Sequence, residues 1–208
     1  MNREVKVDEV IKMDDPYFYR NKLQYPVGIN ENGEPVMGVF AKKSHRIIET
    51  KKCMIQNELS QNIANDIIDF TRQNGISGYD ELSQKGILRH IVIRIGIKTN
   101  EVMVTLVVNN MNIPSEKKLV DFLTNKHKEI KTIIKNLNNK HTNVILGKQN
   151  EIVYGNGYIE DILLGKKFKI SNMSFYQVNP VQTEKLYSKA IEYAGLTGAE
   201  TVFDLYCG

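Results

Sequence analysis

The sequence predicts an α+β fold: a central antiparallel sheet with two covering helices, followed by the opening helix and first strand of a doubly wound, Rossmann-like unit. Three observations carry that expectation. Pairs of strand-like segments are joined by short turns. Stretches of helical apolar spacing follow them. The last residues, "TVFDLYCG", read as a buried strand entering a glycine turn.

Taken in order, "YFYRNKLQYPVGI" and "PVMGVFAKKSHRIIET" flank "NENGEP", whose Asn-Gly is a turn signal, so the amino side is expected to form a hairpin. From Met54 to Phe70, the apolar residues Ile55, Leu59, Ile63, Ile67 and Phe70 fall on one face of an amphipathic helix that Asn74-Gly75 would end. The segment "RHIVIRIGIKTNEVMVTLVVNN" alternates Ile91, Ile93, Ile95 and Ile97, turns at Thr99-Asn100, and alternates Val102, Val104, Leu106 and Val108 back, a second hairpin. Pro114-Ser115 is expected to open a helix with Leu119, Phe122, Leu123, Ile130, Ile133, Ile134 and Leu137 facing inward. Beyond Asn143, the short strand-like pieces "NVILG", "EIVYG", "YIEDILLG" and "KKFKIS", broken by glycines, read as an extended connection, and Pro180 to Ala194 reads as a helix. The expected organisation is a central α+β domain over 1–148, a connection over 149–172, and the start of a second domain over 173–208.

Composition sets bounds on function. The chain has 208 residues and 41% hydrophobic content, enough for a real core. A formal charge of +4 and a pI near 8.9 permit a nucleic-acid partner without demanding one. The heavy use of Lys, Asn and Ile resembles an AT-rich genome and inflates the basic count. Cys53 and Cys207 form no pairing pattern, which argues against a secreted disulfide scaffold and for a reducing cytoplasm. There is no signal-like apolar core near Met1 and no long apolar run, so neither export nor membrane insertion is expected.

By itself, a strand ending in an acidic residue and a glycine, as in "VFDLYCG", is weak evidence for a ligand-binding turn. The continuous block "SFYQVNPVQTEKLYSKAIEYAGLTGAETVFDLYCG" is more specific. It closely resembles the RNA 5-methyluridine methyltransferases that use S-adenosylmethionine, with a Phe-aromatic-Gln-x-Asn entrance to a helix, a loop, and a first cofactor strand carrying aspartate, aromatic, cysteine and glycine. "YRNKLQYPVG", "GVFAKKSHRIIETKKCMIQ" and "LRHIVIRIGIKTNEVMVTLVV" also look like that family's central domain, so the resemblance covers nearly the whole chain.

The resemblance implies roles residue by residue. Gln177 would meet the cofactor or the target base through its amide, which both donates and accepts. Phe175 would offer a flat face beside the target nucleotide. Tyr206, Asp204 and Gly208 would belong to the cofactor turn. Cys207 would belong to that turn too, and the attacking thiolate would lie further along. Asn179 would cap the helix, with Pro180 in its first turn. In the family chemistry a thiolate adds at C6 of uridine, C5 attacks the sulfonium methyl, and a base removes the C5 proton. For RNA contacts, Arg20, Asn21 and Lys22 of "YRNK", with Lys42, Lys43, His45 and Arg89, are the candidates; Arg20 and His45 lie inside the family blocks. The remaining readings are an RNA-binding module without catalysis and an S-adenosylmethionine enzyme acting on another substrate.

Cys53 is, on composition alone, a small buried apolar residue. In the family, the cysteine after the "SHxI" strand is the last ligand of an iron-sulfur cluster whose others lie upstream of "YRNK" as C-x5-C-x2-C. No cysteine precedes Cys53 here, and one thiolate cannot hold a cubane that needs about four. The expectation is therefore a piece of a longer, monomeric parent protein in which a 4Fe-4S cluster is possible and in this chain absent. The anticipated function is that parent's: methyl transfer to C5 of uridine in structured RNA, ribosomal RNA before transfer RNA, with this piece alone inactive.

Overall fold

A computed structural model describes residue 7 and residues 9–205. Its centre is a seven-stranded sheet in the order β3-β2-β1-β4-β5-β6-β7. The strands are β1 (Lys22–Ile29), β2 (Pro35–Phe40), β3 (Ile47–Glu49), β4 (Leu88–Ile95), β5 (Val102–Val108), β6 (Ile130–Leu137) and β7 (Gln149–Tyr154). The β1–β2 and β4–β5 hairpins form where the turn signals lie. In the first, the Asn30 side chain accepts the Asn32 and Glu34 amides, and Gly33 supplies a φ of 77°. The second half of that predicted unit is two strands, because residues 41–46 turn back to pair β3 on β2.

Helices α1 (Glu58–Gln73) and α2 (Glu116–Lys126) lie together on one face, with Phe70 and Phe122 stacked at 5.7 Å. Asn57 caps α1 by accepting the Leu59 and Ser60 amides, so the helix starts later than the apolar spacing suggested and Ile55 remains outside it. Beneath the helices, Leu23 and Tyr25 of β1, Ile91, Ile93 and Ile95 of β4, and Val102, Val104 and Leu106 of β5 join Ile63, Ile67, Leu119 and Leu123 in one core.

The long helix expected from Pro114 onward is corrected. It ends at Lys126, and residues 130–137 form β6, which runs parallel to β5. The sheet is therefore mixed rather than antiparallel. Ile130, Ile133 and Ile134 have helical spacing because the register slips between Val102 and Met103, so Ile130 and Ile133 reach the same core although they are an odd number of residues apart. Ile134 faces the other side, which is also covered. A strand buried on both faces loses the alternation that would identify it.

That second cover is built from the stretch expected as a connection. Part of it is β7, paired with β6, and the rest is a hairpin of β8 (Tyr158–Leu163) and β9 (Lys166–Ser171). Ile159 and Ile170 pack with Met103 and Ile134, and Tyr176 closes the cluster. Gly96 allows the close approach, since a Cβ there would collide with the Thr99 hydroxyl and the Glu160 carbonyl. "NVILG" forms no strand.

Helix α3 (Pro180–Ala194) has the bounds that the sequence suggests. The Asn179 side chain accepts the Gln182 amide, Pro180 stands in the first turn, and Gly195 ends it at φ 57°. The strand expected after it does not form in its described part. Residues 201–205 join no strand of the sheet, with Val202, Phe203 and Leu205 exposed. A strand with no neighbour leaves its backbone groups to water. No helix is long and apolar enough to cross a membrane among the described residues.

Candidate nucleic-acid and cofactor cleft

The Phe-Tyr-Gln entrance to α3 is an extended segment tied down on its inner side. The Nη2 of Arg94, on β4, donates to the carbonyls of Asn172 at 3.3 Å and Ser174 at 2.6 Å. The Tyr176 hydroxyl donates to the buried Asp161 carboxylate at 3.3 Å, and Asp161 also accepts the Lys98 amide at 2.9 Å. Asn21 donates its side-chain amide to the Gln177 carbonyl at 2.8 Å and its backbone amide to that of Val178 at 3.0 Å. Burial first, then the Asp161 charge, raises the Tyr176 pKa, so the hydroxyl stays a donor.

Extended backbone alternates its side chains, so Tyr176 turns inward while Phe175 and Gln177 turn outward. Phe175 is 85% exposed, an unusual placement for a large apolar ring. With Lys22, Arg94, Met173 and Val178, the two line a cleft of about 370 Å³. Lys22 and Arg94 are Cα partners across β1 and β4. Burial lowers the pKa of both; for Lys22 the charges of Arg94 and Arg20 lower it further. The arrangement offers a flat ring, an amide that donates and accepts, and concentrated positive charge. Those groups suit a nucleotide.

The expected site residues divide. Phe175, Gln177 and Lys22 come together in this cleft. Arg20 is half-buried beside it in charge but outside its lining, and its backbone amide bonds the Ile55 carbonyl. His45 is exposed in the β2–β3 turn, edge-on to Phe40, and lines a different cleft of about 640 Å³ with Ile29 and Tyr79. Lys42 and Lys43 are exposed in the same turn. Asp204 is exposed in the stretch after α3. Tyr206, Gly208 and Cys207 lie outside the described residues.

Arg89 is corrected. It is only 2% exposed, and its Nη1 donates to the carbonyls of Asn138 and Lys140, its Nη2 faces Glu81 at 3.7 Å, and its guanidinium covers the Tyr79 ring at 4.2 Å. It sits where the β4 ladder slips between Leu88 and His90, so it leaves the alternating pattern and binds the β6–β7 loop. Conversely, Asn21 had no role assigned beyond its neighbours', and Arg94, Asp161 and Tyr176 were missed. A charged residue inside the apolar run "IVIRIGI" was the available signal for Arg94; nothing in "YIEDILLG" separated Asp161 from a solvated acid.

Cys53 is a free, partly buried thiol before α1, with its amide donating to the Gln61 side chain. Beside it, burial and then Cys53 push the Tyr25 hydroxyl up from its ordinary pKa. Among the described residues no three His, Cys, Asp or Glu side chains gather in a way that could hold a metal. The described residues, with Cys53 as their one thiol, do not fit an iron-sulfur cluster.

The chain is similar to proteins described as RNA methyltransferases. No protein-family model matches the sequence. It is 50% identical over 204 residues to an uncharacterized RNA methyltransferase of Clostridium acetobutylicum, covering 98% of this chain and 44% of that protein. It is 44% identical over 203 residues to one of Staphylococcus aureus, covering 98% and 45%, and 43% identical over 205 residues to one of Clostridium tetani, covering 99% and 44%. The chain thus spans a little under half the length of these relatives. Among solved structures, it is similar to the Pyrococcus abyssi tRNA (uracil-54, C5)-methyltransferase in complex with S-adenosyl-L-homocysteine. The TM-score is 0.72 and the identity 25%, over 88% of this chain and 42% of that one.

Proposed function

We propose that this chain is part of an enzyme that transfers a methyl group from S-adenosylmethionine to C5 of uridine in structured RNA. The observation that carries the reading is the tied segment 172–178, which holds Phe175 and Gln177 outward over a cationic cleft before substrate arrives. A pre-ordered segment spends little binding energy on ordering itself. The similarity to a uracil-C5 methyltransferase holding S-adenosyl-L-homocysteine supports the choice of chemistry.

S-adenosylmethionine, when bound, supplies an electrophilic methyl group. The residues here position and select. Phe175 offers the face on which an extruded base stacks, worth about 1–3 kcal/mol per base. Gln177 offers paired donor and acceptor atoms to the pyrimidine edge or to the cofactor. The Asp204, Tyr206 and Gly208 stretch is proposed to form the cofactor turn. Residues 1–148, 149–172 and 173–208 are proposed as the central domain, its connection and the start of the cofactor domain. Ribosomal RNA is the proposed substrate. Transfer RNA is the second reading, favoured by the substrate of the solved relative.

The test uses the full-length protein, S-adenosylmethionine labelled in the methyl group, and ribosomal and transfer RNA transcripts in parallel. Label in either RNA supports methyl transfer and chooses between the two substrates. Gln177→Ala should lower kcat/KM by about 1–3 kcal/mol, the size of one well-placed polar contact, with thermal unfolding unchanged. Equal kcat/KM would remove Gln177 from the site.

A further inference from the structure

Arg20, Lys22 and Arg94 are grouped without a counter-charge among the described residues. Lys22 and Arg94 face each other across the β1–β4 pairing and line the same cleft as Phe175. Among the described residues, none of the three makes an ion pair. Elsewhere the chain does pair its cations: Arg72 meets Glu49, Lys126 meets Asp66, and Lys135 meets both Glu116 and Glu151. The Nε atoms of Arg20 and Arg94 are buried without a hydrogen-bond partner. Like charges directly opposite on a strand pair are destabilising, and buried orphan donors add to that cost. Lys22 registers it, its pKa lowered by burial and then by the two arginines. An anion seated in the cleft would offset the like-charge crowding of Lys22 and Arg94, both of which line it.

We propose that Lys22 and Arg94, reinforced by the charge of Arg20, form a subsite for one backbone phosphodiester of single-stranded RNA, next to the nucleotide that stacks on Phe175. The inference rests on the RNA-modifying reading of this cleft and adds to it a specific phosphate contact. Arg94 serves two purposes in it. Its Nη2 anchors the carbonyls of Asn172 and Ser174, and the rest of its charge faces the cleft, so the strand is registered against the same segment that presents Phe175 and Gln177. A phosphate contact fixes register without reading sequence, so base choice is left to the other groups.

The experiment measures binding of a uridine-containing RNA loop to the full-length protein across a range of salt, for the native sequence, Lys22→Met and Lys22→Arg. Single methylphosphonate linkages are moved along the RNA, and methyl transfer is assayed in parallel. Lys22→Met is expected to weaken binding about fivefold at ~0.1 M salt and to flatten the slope of log K against log salt by about 0.7, with Lys22→Arg restoring most of both. One methylphosphonate position should weaken the native protein and add nothing to Lys22→Met. Additive losses at every position, or an unchanged slope, overturn the subsite. If Lys22→Met abolishes the methylphosphonate effect while no RNA is methylated, the subsite stands and the enzymatic reading fails. If RNA is methylated with the methylphosphonate effect intact in Lys22→Met, the reverse holds.

Discussion

His90 shows how much one buried side chain on this sheet contributes to pH behaviour. It follows Arg89 on β4, is 6% exposed, and its Nδ1 has no partner. Burial first, then the Arg89 charge, holds its pKa down to about 4 from an ordinary 6.5. The folded protein therefore keeps the ring neutral while the unfolded chain takes up a proton near its ordinary pKa. Stability from this group is complete above pH 6.5, falls as the pH drops from 6.5 towards 4, and levels off below that. The full loss is on the order of 3 kcal/mol. Urea midpoints measured between pH 7.5 and 5 should fall in the native protein and stay flatter in His90→Gln; equal slopes would show that His90 is not the titrating group. At this scale, Phe175 and Gln177 stand out in the sequence because they belong to a specific block, and the structure places both on the cleft. The position of Arg89 was not legible, because a ladder slip is invisible in an alternating sequence and the residue looks the same whether it faces solvent or a loop carbonyl.

Among the elements, β6 and the segment before α3 show opposite outcomes of reading a pattern. The apolar spacing of residues 130–137 matches a helix, yet tertiary cover on both faces makes it a strand. The cap and proline of α3 act through local geometry, so its start followed from Asn179 and Pro180. The tethers of residues 172–178 come from Asn21 just before β1, Arg94 on β4 and Asp161 on β8, partners far away in sequence, and no local signal could give them. Asp161 is the testable tether. Asp161→Ala removes the acceptor of both the Lys98 amide and the Tyr176 hydroxyl, and should cost about 1–3 kcal/mol of stability. Amide exchange over residues 171–178 should accelerate more than that over α1. Uniform acceleration would mean that Asp161 supports the fold in general rather than the segment in particular.

Across the whole molecule, a mixed sheet carries a helical layer on one face and the β8–β9 hairpin, with Tyr176, on the other. The cleft is lined by Lys22 at the start of β1, Arg94 near the end of β4 and residues of the 173–178 segment. Turn signals and alternation made the two hairpins and the helical face readable. The closing stretch reads as a buried strand, but burial requires neighbours, and residues 201–205 have no strand beside them here. The central claim, methyl transfer to C5 of uridine, has a direct atomic signature, because the C5 hydrogen must leave. RNA transcribed with tritium at uridine C5 and incubated with the full-length protein and S-adenosylmethionine should release tritium to water, one for each methyl group gained. Methyl incorporation without tritium release, or neither, would contradict the account.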